Sequence, residues 1–312
     1  MINGVINIYK EAGFTSHDVV AKLRGIVKQK KIGHTGTLDP AAEGVLPVCL
    51  GNATKLCDLI TDWDKTYEAV MLLGRTTDTQ DTTGATLQER PVTAGEEQVK
   101  EAVLSFLGDY DQIPPMYSAL KVDGKKLYEL AREGKEVERK ARPVHIFELE
   151  ILEMDLPRVR MRVTCSKGTY IRTLCHDIGE KLGCGGCMEK LLRTCVGIFP
   201  LEEALRLSQV QELALAEEVD LRQKQLKEGL GACLVSVEDI FPACGKLILK
   251  PEGDKLIYNG NPFTEHFVRE KQQSEKAWMR VYDSTGHFVG IYQFVSKEHR
   301  YKPIKMFLEK ES

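Results

Sequence analysis

One acidic residue, Asp39, lies in a loop rich in glycine and proline and is the first candidate for chemistry in this sequence. The stretch from Lys31 to Leu56 reads KIGHTGTLDPAAEGVLPVCLGNATKL. Its glycines permit a tight chain path and a close approach of the backbone to a ligand, while Pro40 biases Asp39 towards an extended conformation. Glycine pairs and Asp-Pro also occur in ordinary turns. The pattern predicts a carboxylate held on a stiff, open loop.

A metal site is the second kind of chemistry to consider, because the sequence contains nine cysteines and an HDIG motif. Cys184-Gly-Gly-Cys187 has the spacing of a zinc knuckle, but a structural zinc site needs a second close pair of ligands, and none follows. His176-Asp177 would fit a metal-dependent phosphohydrolase only with further histidines in a helical domain. The cysteines are scattered and odd in number, so we expect reduced thiols and no metal.

Length and charge set the broad class of the protein. A chain of 312 residues is longer than one hydrophobic core usually covers, so two domains are expected. The net charge of −3 argues against a globally basic nucleic-acid binder. Two local runs are nevertheless basic: KLRGIVKQKK at 22–31, immediately before the Asp39 loop, and the region between Lys121 and Arg142. Such runs are often only solvated faces, but next to a reactive acid they favour an RNA-binding surface.

The N-terminal sequence and the apolar runs bear on location. No apolar run reaches the roughly 18 to 20 residues that a membrane span needs, and the first residues lack the basic start and long apolar stretch of a signal peptide. We therefore expect a cytoplasmic protein with no membrane partner.

Hydrophobic periodicity predicts alternating helices and strands. Thr15 should cap a helix that runs to Val27, and apolar alternation predicts a strand at Thr66–Leu73 and a strand pair at Val144–Met154 and Arg158–Cys165. Other predicted helices are 52–60, 95–107, 125–132, 173–181, 188–193 and 201 to about 230. Beyond Pro242 and Gly245 the pattern indicates short strands with hairpin turns, which predicts a small β-rich, barrel-like domain.

The motif GHTGTLDPAAEGVLPV followed by GNATK closely resembles the catalytic motif of the bacterial tRNA pseudouridine synthase B (TruB) family. This resemblance implies an α/β (α+β) fold with a central mixed, largely antiparallel sheet flanked by helices. It further implies a catalytic domain at 1–240 and a PUA-like RNA-binding domain at 245–312. The implied reaction is isomerisation of the T-loop uridine at tRNA position 55, without a cofactor. By family precedent the protein would be a monomer with no obligate protein partner.

The resemblance also assigns roles to individual residues. Asp39 would act on the ribose, either by attack at C1′ or by a route through a glycal, and the sequence does not separate these. Arg172, in the motif GTYIR, would pair with Asp39, and Tyr67 would stack on the target base and take part in removing its C5 proton. Further family positions near the substrate or RNA are His34, Tyr170, Leu191, Lys55 and Asp81.

RNA recognition by such an enzyme requires the target uracil to be flipped out of its stack, at a cost of a few kcal/mol. Lys28, Lys30 and Lys31 are the candidate phosphate contacts.

The chain departs from the family at Leu191-Leu192-Arg193, where Leu-Arg-Arg is usual. The competing interpretation is a noncatalytic tRNA-binding or RNA-folding factor that uses the same surface.

Overall fold

One large mixed sheet positions most of the candidate site residues. A computed structural model of the chain describes residues 2–122, 124–218, 229–271 and 278–308. The helices are α1 (Ser16–Ile26), α2 (Cys57–Thr61), α3 (Glu96–Leu104), α4 (Leu127–Arg132), α5 (Ile171–Lys181), α6 (Leu207–Glu218) and α7 (Pro251–Tyr258). The strands are β1 (Gly4–Lys10), β2 (Ile32–His34), β3 (Glu43–Leu50), β4 (Lys65–Leu73), β5 (Arg75–Thr77), β6 (Thr86–Glu89), β7 (Gly108–Gln112), β8 (Lys121–Val122), β9 (Lys125–Lys126), β10 (Arg142–Asp155), β11 (Arg158–Cys165), β12 (Gly186–Val196), β13 (Phe199–Pro200), β14 (Leu234–Val235), β15 (Gly245–Leu249), β16 (Val268–Lys271), β17 (Trp278–Tyr282), β18 (Phe288–Val295) and β19 (Arg300–Met306).

The large sheet has ten strands in the order β14-β1-β3-β12-β4-β11-β10-β7, with β13 beside β12 and β2 beside β3. Among the described residues β3 and β12 are its one parallel pair, and all its other pairs are antiparallel. This confirms the expected mixed, largely antiparallel sheet. Along β4 every second residue is buried, from Lys65 through Tyr67 to Leu73, because one face of the strand packs on the core.

Helices cover this sheet through two apolar clusters. Residues of α3 and α5, such as Val103 and Leu174, pack on β4, β10 and β11. Residues of α1 and α6, such as Val19 and Val210, pack on β1 and β3. The predicted start of α1 is confirmed, because Thr15 accepts a hydrogen bond from the backbone N–H of Asp18 and its own N–H donates to the Asp18 carboxylate.

The helix predicted at Met188–Arg193 is wrong. These residues lie within β12, which pairs along its length with β4, from Gly186 opposite Leu73 to Val196 opposite Lys65. The register of this pairing shifts twice, between 188 and 190 and between 193 and 195. Each irregularity interrupts the two-residue alternation of a strand, so the local pattern of apolar residues no longer indicates one.

The region after Pro242 forms a second, five-stranded sheet in the order β16-β15-β17-β18-β19. The sequence predicted strands there but missed α7, which begins with Pro251 in its first turn and carries Glu252 and Asp254 near its N-terminus. The helix predicted from 201 to about 230 is present as α6 from 207 to 218, and its remainder at 219–228 lies outside the described residues.

The two sheets share an apolar cluster. Val5 and Val45 of the large sheet pack in the same cluster as Ile291 and Phe307 of the C-terminal part. In the part of the chain that the structure describes, no helix is both long and apolar enough to cross a bilayer.

Candidate active site

The Asp39 loop connects β2 to β3 and is held by backbone contacts on both sides. The N–H of Leu38 donates to the hydroxyl of Ser16 at 3.0 Å, which fixes the loop to the first turn of α1. The carbonyl of Pro40 accepts from the N–H of Gly13 at 2.9 Å. The residues on either side of Asp39 are therefore anchored, as the Gly/Pro pattern predicted, and the side chain keeps 39% of its surface exposed.

Lys10, at the end of β1, is a candidate that the sequence did not suggest. Its side chain is fully buried, and Nζ donates to the carbonyls of Glu11 (3.2 Å), Phe14 (2.6 Å) and Pro40 (3.2 Å). Burial lowers the pKa of Lys10 to about 8, and the nearby carboxylate of Asp39 opposes this shift. Lys10 thus fixes the loop and adds positive charge near Asp39.

Arg172, in the first turn of α5, forms a two-point ion pair with Asp39. Its Nε lies 2.9 Å from Oδ2 and its Nη2 donates to Oδ1 at 3.2 Å. The planar guanidinium matches the carboxylate, so the pair fixes orientation as well as charge. The Arg172 side chain is only 6% exposed, whereas that of Asp39 is 39% exposed. The guanidinium is therefore buried, and one side of the carboxylate is exposed to solvent.

Two other segments, the loop that contains Thr79 and Asp81 and the segment at Tyr117, hold the guanidinium of Arg172. It donates to the carbonyl of Thr79 at 3.0 Å and to the carbonyl of Tyr117 at 2.9 Å. The carboxylate of Asp81 lies 3.8 Å away and is itself fixed by the N–H of Thr83 at 3.0 Å. The structure therefore brings Asp81 to the site as a neighbour of Arg172.

The charges around Asp39 pull its protonation in opposite directions. Burial raises the pKa of the Asp39 carboxyl, and the positive charge of Arg172 is the largest opposing influence. Asp81 also raises this pKa, and Lys10 lowers it. Arg172 is thus the main group that keeps a partly desolvated acid ionised.

Tyr67 lies on β4, 8% exposed, directly opposite Arg193 of β12. Burial raises the pKa of the Tyr67 phenol, and the charge of the Arg193 guanidinium is the largest opposing influence. Asp39 is close enough to raise this pKa further. Leu191 lies opposite Ala69 and packs against the cluster that contains Tyr67. The sequence named Tyr67 and Leu191 but missed Arg193.

Tyr170 is the residue that precedes α5, and Gln112 holds it. The side chain of Gln112 accepts the N–H of Tyr170 at 2.7 Å and donates to its carbonyl at 3.0 Å. Burial raises the pKa of the Tyr170 phenol, and the charge of Arg172 opposes this shift. The ring is half-buried beside the Asp39–Arg172 pair, two residues before Arg172.

The remaining candidates are His34, Lys55 and the three lysines before β2. His34 is half-buried at the end of β2, its ring centroid 5.6 Å from that of His17, and burial lowers its pKa. Lys55 donates to the carbonyl of Met306 at 2.7 Å, so it links the segment that follows β3 to β19. Lys28, Lys30 and Lys31 are exposed between α1 and β2.

The residues considered for metal binding have other contacts. Asp177 accepts a hydrogen bond from the phenol of Tyr110, and Cys184 is buried with its sulfur against the backbone of Gly179 and Gly185. Within the described ranges no group of three or more His, Cys, Asp and Glu side chains is placed to hold a metal ion.

Comparison with known proteins identifies the family. Residues 24–171 match the N-terminal domain of the TruB family pseudouridylate synthases, and residues 172–241 match the tRNA pseudouridylate synthase B C-terminal domain. A tRNA pseudouridine synthase B of Lachnoclostridium phytofermentans is 55% identical, covering 98% of this chain and 100% of the relative. The chain belongs to the TruB family of pseudouridylate synthases. A tRNA pseudouridine synthase B of Alkaliphilus oremlandii is 43% identical, over 99% of this chain and 100% of the relative.

Two solved structures share the fold of this TruB-family chain. One, titled as a Cbf5-Nop10-Gar1 complex, superposes with a TM-score of 0.75 at 26% identity, covering 98% of this chain and 85% of the other. The second is an H/ACA RNP bound to a substrate RNA containing 2′-deoxyuridine, with a TM-score of 0.74 at 24% identity, covering 99% and 86%.

Replacing Arg172 tests the ion pair directly. In Arg172→Met we expect the pKa of Asp39 to rise, because the largest influence that lowers it is gone. As the pH falls, Asp39 would then become protonated at a higher pH than in the wild-type protein. Carbon-13 NMR titration of aspartate-labelled protein, with the Asp39 signal assigned from its absence in Asp39→Asn, measures this pKa.

The matched control is Arg158→Met, which removes an exposed arginine whose ion pair is with Glu189. It should leave the Asp39 titration in place. An unchanged Asp39 pKa in Arg172→Met would show that the pair does not govern its ionisation.

Proposed function

We propose that this chain isomerises a uridine of tRNA to pseudouridine, with Asp39 as the residue that acts on the ribose. The two-point pair between Arg172 and Asp39 is the observation that supports this role, because it keeps a partly desolvated carboxylate charged and oriented. The full-length relatives are named tRNA pseudouridine synthase B, which supports tRNA as the substrate.

The reaction breaks the bond from ribose C1′ to uracil N1, rotates the base and rejoins it through C5. All atoms of the product come from the substrate, apart from exchange of protons with water, and there is no net redox change. An ionised Asp39 could attack C1′ as a retaining glycosidase does, or act on the ribose while the departing uracil leaves a glycal. Both routes need an ionised carboxylate oxygen that the substrate can reach. Asp39 is partly exposed and its partner Arg172 is buried, which is compatible with either route.

The surrounding side chains suit a base that has been flipped out of its stack. Stacking on an aromatic ring returns about 1 to 3 kcal/mol per base, which offsets part of the cost of extrusion. We assign base contacts to Tyr67 and Tyr170, a pocket wall to Leu191, and the place vacated by the base to His34. By family resemblance the target is the T-loop uridine at position 55.

The tRNA surface extends beyond the pocket in this proposal. Lys28, Lys30 and Lys31 contact phosphates next to the Asp39 loop, and Lys55 and Asp81 belong to the same RNA-binding surface. Residues 245–312 form a PUA-like RNA-binding domain, and residues 1–240 form the catalytic domain. The separate sheet β15–β19 supports this division. The chain works in the cytoplasm as a monomer without an obligate protein partner.

A noncatalytic RNA-binding or RNA-folding factor is the second function considered. The relatives are named as synthases, and Asp39 and Arg172 form the pair that the chemistry requires, so this alternative is not favoured. An RNA-folding role that accompanies the reaction would use the same surface.

Removing the charge of Asp39 separates chemistry from binding. Asp39→Asn keeps the shape of the side chain but cannot supply an ionised oxygen. We expect release of tritium from tRNA carrying 5-tritiated uridine to stop while tRNA binding persists. The control, Asp62→Asn, removes an exposed acid that pairs with Lys167, and it should release tritium at the wild-type rate. Release by Asp39→Asn at a rate comparable to wild type would remove Asp39 from the reaction.

The basic run before the loop is tested through salt dependence. Each phosphate contact contributes about 0.9 to the slope of log K against log salt. Lys30→Ala with Lys31→Ala should weaken tRNA binding and reduce that slope, as measured by filter binding over a range of salt concentrations. Lys100→Ala, an exposed lysine of α3, is the control. A slope equal to that of wild type in the double variant would place these lysines outside the interface.

A further inference from the structure

Arg193 is a buried cation that pairs with no carboxylate among the described residues. Arg193 is 1% exposed, and it has the largest volume among the fully buried residues that the structure describes. The Nε donates to the carbonyl of Val45 at 2.7 Å, while Nη2 is buried without a hydrogen-bond partner in the part of the chain described. No ion pair between Arg193 and a carboxylate is formed among those residues. Burying an uncompensated charge costs several kcal/mol, so a structural explanation alone is incomplete.

A titratable side chain lies opposite Arg193 on the neighbouring strand β4. Tyr67 is the residue of β4 that pairs with Arg193 of β12, and the charge of the guanidinium lowers the pKa of its phenol against the effect of burial. The charge of Arg193 also lowers the pKa of the Lys10 and Lys65 amines and of the His34 ring, and these groups are neutral or positive. Tyr67 is the one group in this set that can become negative.

The backbone of Arg193 packs tightly against the start of β3. A Cβ on Gly44 would lie 2.2 Å from the carbonyl oxygen of Arg193, so only glycine lets the start of β3 pass this close. The next residue, Val45, supplies the carbonyl that accepts from Nε. Gly44 follows the Asp39 loop directly, so Arg193 is packed against the strand that leaves this loop.

We infer that Arg193 is a positioning residue for Tyr67: its guanidinium holds the Tyr67 oxygen in place and compensates the negative charge of the phenolate that removes the C5 proton. This inference rests on the proposed function and goes beyond it, because Arg193 is sealed from the substrate and acts only through Tyr67. A fixed charge in a water-excluded site needs no reorganisation when the base forms.

The step balances in protons and electrons. After C5 has bonded to ribose C1′, it carries both that bond and its original proton, and C6 is doubly bonded to N1. The phenolate oxygen of Tyr67 takes the proton, the C–H electron pair forms the C5–C6 double bond, and the second electron pair of the C6–N1 bond moves to N1. The phenol then loses its proton to water, and N1 of the base gains a proton from water. Arg193 stays protonated throughout.

An isotope effect tests this role apart from folding. If Arg193 supports the base, Arg193→Met slows proton removal, and general-base loss predicts a fall in kcat of about 100-fold. That step then limits turnover, so the ratio of kcat values for uridine with hydrogen and with deuterium at C5 rises above the wild-type ratio, while tRNA binding is unchanged. Arg193→Lys keeps the charge and should show a smaller fall and a smaller rise.

The control is Lys190→Met, which removes an exposed cation from the same strand and should match wild type in both measurements. If kcat falls in either arginine variant without a rise in the isotope effect, Arg193 has a structural role and the inference is wrong. A wild-type kcat in Arg193→Met would also overturn the inference. If Arg193→Met does not fold, Arg193→Lys decides by the same criterion. Failure of the wild-type protein to release C5 tritium would instead contradict the proposed function.

Discussion

The contact between Arg172 and Asp39 is the interaction on which the site depends. A carboxylate on a loop next to a buried sheet tends to protonate, because desolvation raises its pKa. A guanidinium that is almost fully buried and held by the carbonyls of Thr79 and Tyr117 counters this tendency. Removing one partner of a fully buried pair typically costs about 3 to 5 kcal/mol, and solvent at the exposed side of Asp39 reduces this cost. The pair therefore constrains the segments that support it.

Two arginines near the pocket illustrate how burial assigns different roles to one residue type. Arg172 has its countercharge in place, so it fixes the geometry of an acid that is ionised before the substrate arrives. Arg193 lacks a countercharge among the described residues and faces a phenol. The pair of Arg172 with Asp39 stabilises the protein without substrate. The charge of Arg193, in our inference, gains a favourable ionic interaction only when Tyr67 is negative.

Local sequence signals predicted much of this structure. The Gly/Pro pattern around Asp39 encodes its own loop, the cap at Thr15 and Asp18 begins α1, and alternation defines β4, β10 and β11. These features depend on neighbours along the chain. The resemblance to a family added Arg172, which lies 133 residues from Asp39 and which no local pattern would connect to it.

The features that the sequence missed arise from tertiary packing. Lys10 and Arg193 are charged, and charged residues are expected at the surface unless a partner is known. Nothing in the sequence near Lys10 indicates the three carbonyls around its amine, and Arg193 lies in a strand whose irregular register made it resemble a helix. Both become visible as functional candidates only when burial is known.

The most direct test of the central claim is the crystal structure of the Asp39→Asn protein bound to a T-arm stem-loop. We expect the target uridine to be extruded, with its ribose C1′ about 3 to 3.5 Å from the side chain at position 39 and Arg172 still beneath it. A uridine that remains stacked in its loop, or a ribose out of reach of position 39, would show that Asp39 does not act on the ribose.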